Sequence, residues 1–220
     1  LFPDNDEIHQ EVIVLIGEMV RFLAQNKSKD YDYLYDQTVC FGELLSTMIV
    51  RSYFTKVGIQ NSWKDVRKLI KTDSTFRDAT VHWEETKHII NKEIDTSKLT
   101  IVQGFLGGGS KGNTTTLGRE GSDYTAGIFA YCLGAKDVTI WKDVQGVLNA
   151  DPRVFKETQL LEQISYEETI EMAFYGASVI HPKTIQPLQS KEIILYVRSF
   201  KDVSLQGTKV SRGVAIQPLV

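Results

Sequence analysis

Gly104-Phe105-Leu106-Gly107-Gly108-Gly109-Ser110-Lys111-Gly112-Asn113-Thr114-Thr115-Thr116-Leu117-Gly118-Arg119-Glu120-Gly121-Ser122-Asp123 is the stretch on which the reading of this chain turns. Just before it, Leu99-Thr100-Ile101-Val102 has the length and β-branching of a buried parallel strand; after it, Ser122-Asp123 open an amphipathic segment from Tyr124 to Leu133. The stretch is therefore expected to be a loop from a strand's carboxyl end to a helix's amino end. Ligands of open α/β sheets gather at that edge, where helix amino termini present unpaired N–H groups and a partial positive charge. Seven glycines allow close backbone approach and positive φ, three threonines with Ser110 and Ser122 add hydroxyls, and Lys111 and Arg119 add positive charge. That chemistry suits an anion such as phosphate. The alternative is a plain flexible surface loop, the usual meaning of glycine and serine clusters.

Two common phosphate loops do not fit. Gly107, Gly109 and Gly112 match G-x-G-x-x-G, but ten residues separate Gly112 from Asp123, and no acidic residue closes a second strand about twenty positions on. A Walker A loop needs Gly-Lys-Ser/Thr after the glycines, and none follows.

Thr114 to Ala126, T-T-T-L-G-R-E-G-S-D-Y-T-A, resembles the signature of aspartate kinases within the amino acid kinase family. Four further pieces agree in order and spacing: Phe41 to Ser46 (F-G-E-L-L-S), Ile140 to Val147 (I-W-K-D-V-Q-G-V), Asn149 to Arg153 (N-A-D-P-R) and Tyr175 to Pro182 (Y-G-A-S-V-I-H-P). The D-P-R piece is shared across the superfamily; the threonine-arginine signature is the specific one. The resemblance covers the chain from about Gln37 onward.

Composition leaves this reading open and closes others. The 220 residues are 42% hydrophobic and 24% charged, ordinary for one globular domain. A net charge of -3 and no basic stripe argue against a nucleic-acid or membrane-surface partner. Cys40 and Cys132 lack paired spacing, and His82 and His88 lack ligand partners, so neither a disulfide framework nor a metal site is expected. Without a membrane-length apolar run or a signal peptide, the cytoplasm is the default expectation.

The chain starts at Leu1-Phe2-Pro3, past where the family's K-F-G-G strand should lie, and stops at Val220, about where family members continue into paired ACT domains. The K-F-G-G lysine contacts the transferring phosphoryl group in the family, so the chain as given is expected to turn over little.

Along the chain, Ile8, Val12, Leu15, Ile16, Met19, Val20 and Leu23 predict a helix over Glu7 to Leu23 with one buried face. Asn26 to Tyr33 reads as a loop, Asp36 to Phe54 as a second amphipathic helix, Gly58 to Trp63 as a short strand and Lys71 to Thr80 as a polar connection. Trp83 to Ile94 should be a helix and Asp137 to Trp141 a second buried strand. Ser165 opens a capping box for a helix from Tyr166 to about Gly176, Pro182 starts a helix from Lys183 to about Gln189, and Ile193 to Val197 adds a strand. The alternation indicates a three-layer α/β/α sandwich around a mainly parallel sheet, and the resemblance implies the amino acid kinase fold.

The resemblance also implies the site. Transfer of the ATP γ-phosphoryl group to the side-chain carboxylate of L-aspartate, with Mg2+ accompanying the ATP, would place Glu43 on the substrate ammonium and Arg119 on its α-carboxylate. Ser122 would steady phosphoryl oxygens, and Asp123 would orient the K-F-G-G lysine or, more simply, cap the helix. The nucleotide would lie against Lys142, Asp143, Leu148, Arg153, Ser178 and Val179, although Ser178 stands where the family usually has lysine. Asp151-Pro152-Arg153 also reads as an ordinary turn. Lysine, threonine and methionine synthesis is the implied pathway, and a homodimer is expected of the full-length enzyme.

Overall fold

In the computed structural model, which describes Phe2 and residues 7–151, 153–175 and 180–213, the elements alternate much as the apolar periodicity predicts. The described residues divide into two units, Leu1–Ser122 and Asp123–Val220.

The first unit begins with two long helices, α1 (Glu7–Gln25) and α2 (Tyr31–Lys56). The predicted buried face of α1 is narrower than expected: Ile8 is buried and Val12, Leu15 and Met19 are half-buried, while Ile16, Val20 and Leu23 are exposed, as are Ile13 and Val14. The loop over Asn26 to Tyr33 is shorter than expected. Asp30 accepts from the backbone N–H groups of Asp32 and Tyr33 and so starts α2 five residues before Asp36.

Beyond α2 come β1 (Asn61–Lys64), a 3-10 turn (Val66–Lys68), β2 (Lys71–Thr72), α3 (Trp83–Glu93) and β3 (Leu99–Val102). Lys71 to Thr80 is thus not all connection, since its first two residues pair with a later strand. The quoted stretch is not one irregular loop either. Leu106–Gly109 and Thr114–Thr116 form an antiparallel hairpin, β4 and β5, with Ser110 to Asn113 at its tip. Strand β1 runs parallel to β3 and β2 parallel to β4. The backbone needs glycine here for contact: a Cβ on Gly108 would stand 2.1 Å from the Arg67 carbonyl oxygen.

The second unit holds most of α4 (Gly121–Leu133), β6 (Asp137–Lys142), β7 (Gln163–Ile164), α5 (Tyr166–Phe174), α6 (Pro182–Ser190), β8 (Ile194–Ser199) and β9 (Thr208–Val210). Its sheet runs β6-β8-β9-β7, parallel at β6–β8 and β7–β9 and antiparallel at β8–β9. Strands β7 and β9, too short for a periodic signal, were not expected. Ile140, Val147, Ile164, Tyr166, Ile185, Leu188, Leu195, Val197 and Val210 form the core, and the Tyr166 hydroxyl donates to the Ile193 carbonyl at 2.6 Å. The Ser165 and Glu168 capping box is present as predicted. His181 caps α6, its Nδ1 accepting from the Lys183 N–H. The expected C-cap Gly176, with Ser178 and Val179, lies outside the described residues.

Candidate functional site

Buried threonines anchor the first unit's share of the expected site. Thr114, Thr115 and Thr116 are no more than 5% exposed, so the expectation that their hydroxyls face an anion is corrected. Each is taken by the protein: Thr114 Oγ1 accepts from Arg67 at 3.2 Å, Thr115 Oγ1 lies 2.7 Å from Thr72 Oγ1, and Thr116 Oγ1 donates to Asp36 Oδ1 at 2.8 Å. The backbone of Thr114 also exchanges two hydrogen bonds with the Gln37 side chain, at 2.7 and 3.0 Å. Three consecutive threonines here serve packing and register.

Asp36 is the residue that sequence reasoning missed. Fully buried, it accepts from the N–H groups of Arg77 and Thr116, each at 2.9 Å, as well as from the Thr116 hydroxyl. Burial raises its pKa, and those hydrogen bonds only partly oppose the shift. A signal was available: Asp36, Cys40 and Leu44, the buried residues of α2, recur every four positions, so this aspartate heads an apolar stripe.

The substrate residues expected on this unit have no partner among the described residues. Glu43 is half-buried on α2, and burial raises its carboxyl pKa above the ordinary 4.5. Arg119 is exposed, three residues after β5. Its approach is tightly built: Gly118 has φ 82°, and a Cβ there would meet Asp78 Oδ1 at 2.3 Å. Phe105 (φ 72°) and Glu120 (φ 52°), both in the left-handed region, flank the hairpin; such backbone costs energy and gathers at functional loops. Ser122 is exposed in the first turn of α4, its Oγ 2.7 Å from where a Gly104 Cβ would stand.

In the second unit the structure brings Asp123 and Lys142 together, Oδ2 to Nζ 2.8 Å apart with both side chains mostly buried. Helix α4 begins at Gly121, so Asp123 sits inside the first turn rather than at the cap. The lysine it meets is the one expected on the nucleotide. Asp143 is exposed, with Lys201 Nζ at 4.0 Å. Leu148 is half-buried and bridges Leu160. Arg153, 84% exposed in its side chain, folds back on Asp151, which its guanidinium holds below the usual carboxylate range. Asp151 also takes the Arg153 N–H at 2.8 Å and gives its carbonyl to the Val154 N–H at 3.0 Å, the turn read from the sequence.

Among the described residues no group of three or more His, Cys, Asp or Glu could hold a metal ion, and no helix is long and apolar enough to cross a membrane. Cys40 and Cys132 are buried, and His82 and His88 are exposed.

Comparison with known proteins gives a consistent answer. A model described as the amino acid kinase family matches residues 5–199. Lysine-sensitive aspartokinase 3 of Escherichia coli is 38% identical over 189 residues, 84% of this chain and 42% of that protein. The crystal structure of E. coli aspartokinase III in complex with aspartate and ADP superposes with a TM-score of 0.91 at 34% identity, over 97% of this chain and 48% of that one. UMP kinase from Bacillus anthracis, at 13% identity and a TM-score of 0.55 over 94% of this chain, shares the fold. The amino acid kinase fold expected from the sequence is thus the one found, and the chain spans less than half the length of the aspartokinases it matches.

Proposed function

Because this chain belongs to the amino acid kinase family, we propose that it is the acceptor- and nucleotide-binding region of an aspartokinase. The reaction is attack of the L-aspartate side-chain carboxylate on the γ-phosphorus of ATP, forming the new O–P bond of 4-phospho-L-aspartate as the bond to ADP breaks. The setting is the cytoplasm, a homodimer, and the entry to lysine, threonine and methionine synthesis.

The observation that carries this reading is that the first unit presents a half-buried carboxylate, Glu43, and an exposed guanidinium, Arg119, neither with a partner among the described residues. A free amino acid supplies the complementary pair, an ammonium for Glu43 and a carboxylate that the planar fork of Arg119 grips with two bonds. The acceptor oxygen is already ionised at neutral pH, so no general base is required; the chain's work is to align two anions and offset their repulsion. Ser122 and the N–H groups opening α4 face phosphoryl oxygens, and Lys142, steered by Asp123, binds the polyphosphate with Asp143, Leu148, Arg153, Ser178 and Val179 around the nucleotide. Mg2+ enters on the ATP phosphates.

The test is calorimetric titration of L-aspartate into protein saturated with MgADP. Saturable binding of L- but not D-aspartate supports the reading. Binding of UMP or carbamate in its place would make this another amino acid kinase, and ADP binding without any acceptor would make it a nucleotide-binding fragment.

A further inference from the structure

We propose that Asp36 is a positioning residue for the acceptor: it ties the strand leading into Arg119 to the helix that carries Glu43. The inference rests on the acceptor reading above and names the part of the fold that sets the spacing between the two substrate contacts.

Asp36 and Glu43 lie on one helix, seven residues and thus about 10 Å apart along its axis. Arg119 sits on a different segment, and its link to α2 runs through Thr116, whose N–H and hydroxyl both end on Asp36 at 2.9 and 2.8 Å. Between Thr116 and Arg119 there is no slack. Leu117 is fully buried and donates to the Phe105 carbonyl at 2.9 Å, and Gly118 is pressed against Asp78. A third segment closes the joint: Arg77 holds φ 68° with its N–H on Asp36, and the Ala79 N–H donates to the Thr116 carbonyl at 2.9 Å.

Packing alone does not explain a carboxylate here. An ionisable group costs free energy to bury and is tolerated when hydrogen-bonded throughout, as Asp36 is by its three donors. What the carboxylate adds is direction, three donors from two segments meeting at one point on α2. In an amino acid the ammonium and the α-carboxylate are bonded to the same carbon, so the groups that receive them must keep a fixed separation.

Asp36→Ala, Asp36→Asn and Thr116→Val, compared with wild type by calorimetry using L-aspartate and MgADP as probes, test this. Asp36→Ala should raise the aspartate Kd about tenfold or more, with the ADP Kd within about twofold and its stoichiometry intact. Asp36→Asn keeps the shape and an accepting oxygen and should recover most of the loss; Thr116→Val, which removes one of the three bonds, should fall between. A residue that only supports folding would instead lower the competent fraction for both ligands alike. An unchanged aspartate Kd in Asp36→Ala, or equal weakening of both ligands, overturns the proposal. If Asp36→Ala does not fold, indifference of aspartate to both other variants overturns it. Wild-type protein that binds ADP and no aspartate removes the acceptor reading itself, a result distinct from wild type that binds aspartate while its variants do so equally well.

Discussion

Asp123 in the first turn of α4 and Lys142 at the end of β6 form an ion pair 2.8 Å long, with side chains 17% and 21% exposed. Half of such a pair is expensive to lose, because the remaining charge stays partly desolvated. The pair therefore fixes where the ammonium points. If it points at the polyphosphate, Lys142→Met should weaken MgADP by about 1.5–3 kcal/mol, roughly 10- to 150-fold, and leave aspartate within about twofold. Calorimetry with each ligand decides it; an unchanged ADP Kd would make the pair purely structural.

Arg119→Lys keeps the charge and loses the planar two-bond fork. Aspartate should bind about 10- to 150-fold more weakly, a loss of about 1.5–3 kcal/mol, while ADP is unaffected. Impaired ADP binding with unchanged aspartate would mean that this guanidinium serves the nucleotide.

Glu43 gives a pH signature. Burial raises its pKa above 4.5, so in the empty protein the folded state takes up a proton more readily than the unfolded chain and this group costs stability as pH rises through that window. Ionised Glu43 is the form that receives an ammonium. Aspartate affinity should consequently fall on acidification, beginning at a higher pH than an ordinary glutamate would give, and Glu43→Gln should bind weakly with that dependence gone. Titrations from pH 7 downward on both proteins read it out; identical pH profiles would remove Glu43 from the site.

The order of elements was legible in the sequence because apolar periodicity survives in long segments: β3 matches its predicted ends, and α5 starts at its capping box. Glu43 and Arg119 could be chosen through the resemblance, since a charge without a partner looks like any surface charge in a sequence. The four-residue stripe of α2 marks Asp36 as buried, but its role was hidden, because its three donors come from Arg77 and Thr116, 41 and 80 residues away, and no local pattern encodes such a contact. The hairpin inside the glycine stretch was hidden as well. Strand β4 reads Leu-Gly-Gly-Gly, and its pairing is dictated by the threonines opposite and by close backbone approach, not by β-propensity.

The same hairpin separates two meanings of glycine. At Gly108 an added Cβ meets the Arg67 carbonyl at 2.1 Å, whereas at Gly112, at the tip with φ 74°, it meets nothing within 4 Å. Gly112→Ala should therefore cost only the backbone term, about 1–2 kcal/mol. Gly108→Ala should cost about 3 kcal/mol or more through displaced backbone. Thermal melts give the ranking, at about 2–4 °C per kcal/mol for a chain of this size; equal melts would show that β4 can shift away from the 3-10 turn.

Thr72 and Thr115, paired hydroxyl to hydroxyl at 2.7 Å inside the protein, carry a consequence for how this signature can change over time. The two are not equivalent: Thr72→Val alone strands the buried Thr115 hydroxyl, at about 1–3 kcal/mol, whereas Thr115→Val leaves the Thr72 hydroxyl its second bond, 2.9 Å to the Asp73 carbonyl. Replaced together by valines, the two can be close to neutral, since both hydrogen-bonding groups leave at once. A double-mutant cycle should show that coupling as non-additivity on the order of 1 kcal/mol. The second letter of T-T-T is thus half of a two-letter word whose other half is written 43 residues upstream, and the order of respelling matters: valine at position 115 first leaves no hydroxyl stranded, while valine at position 72 first does.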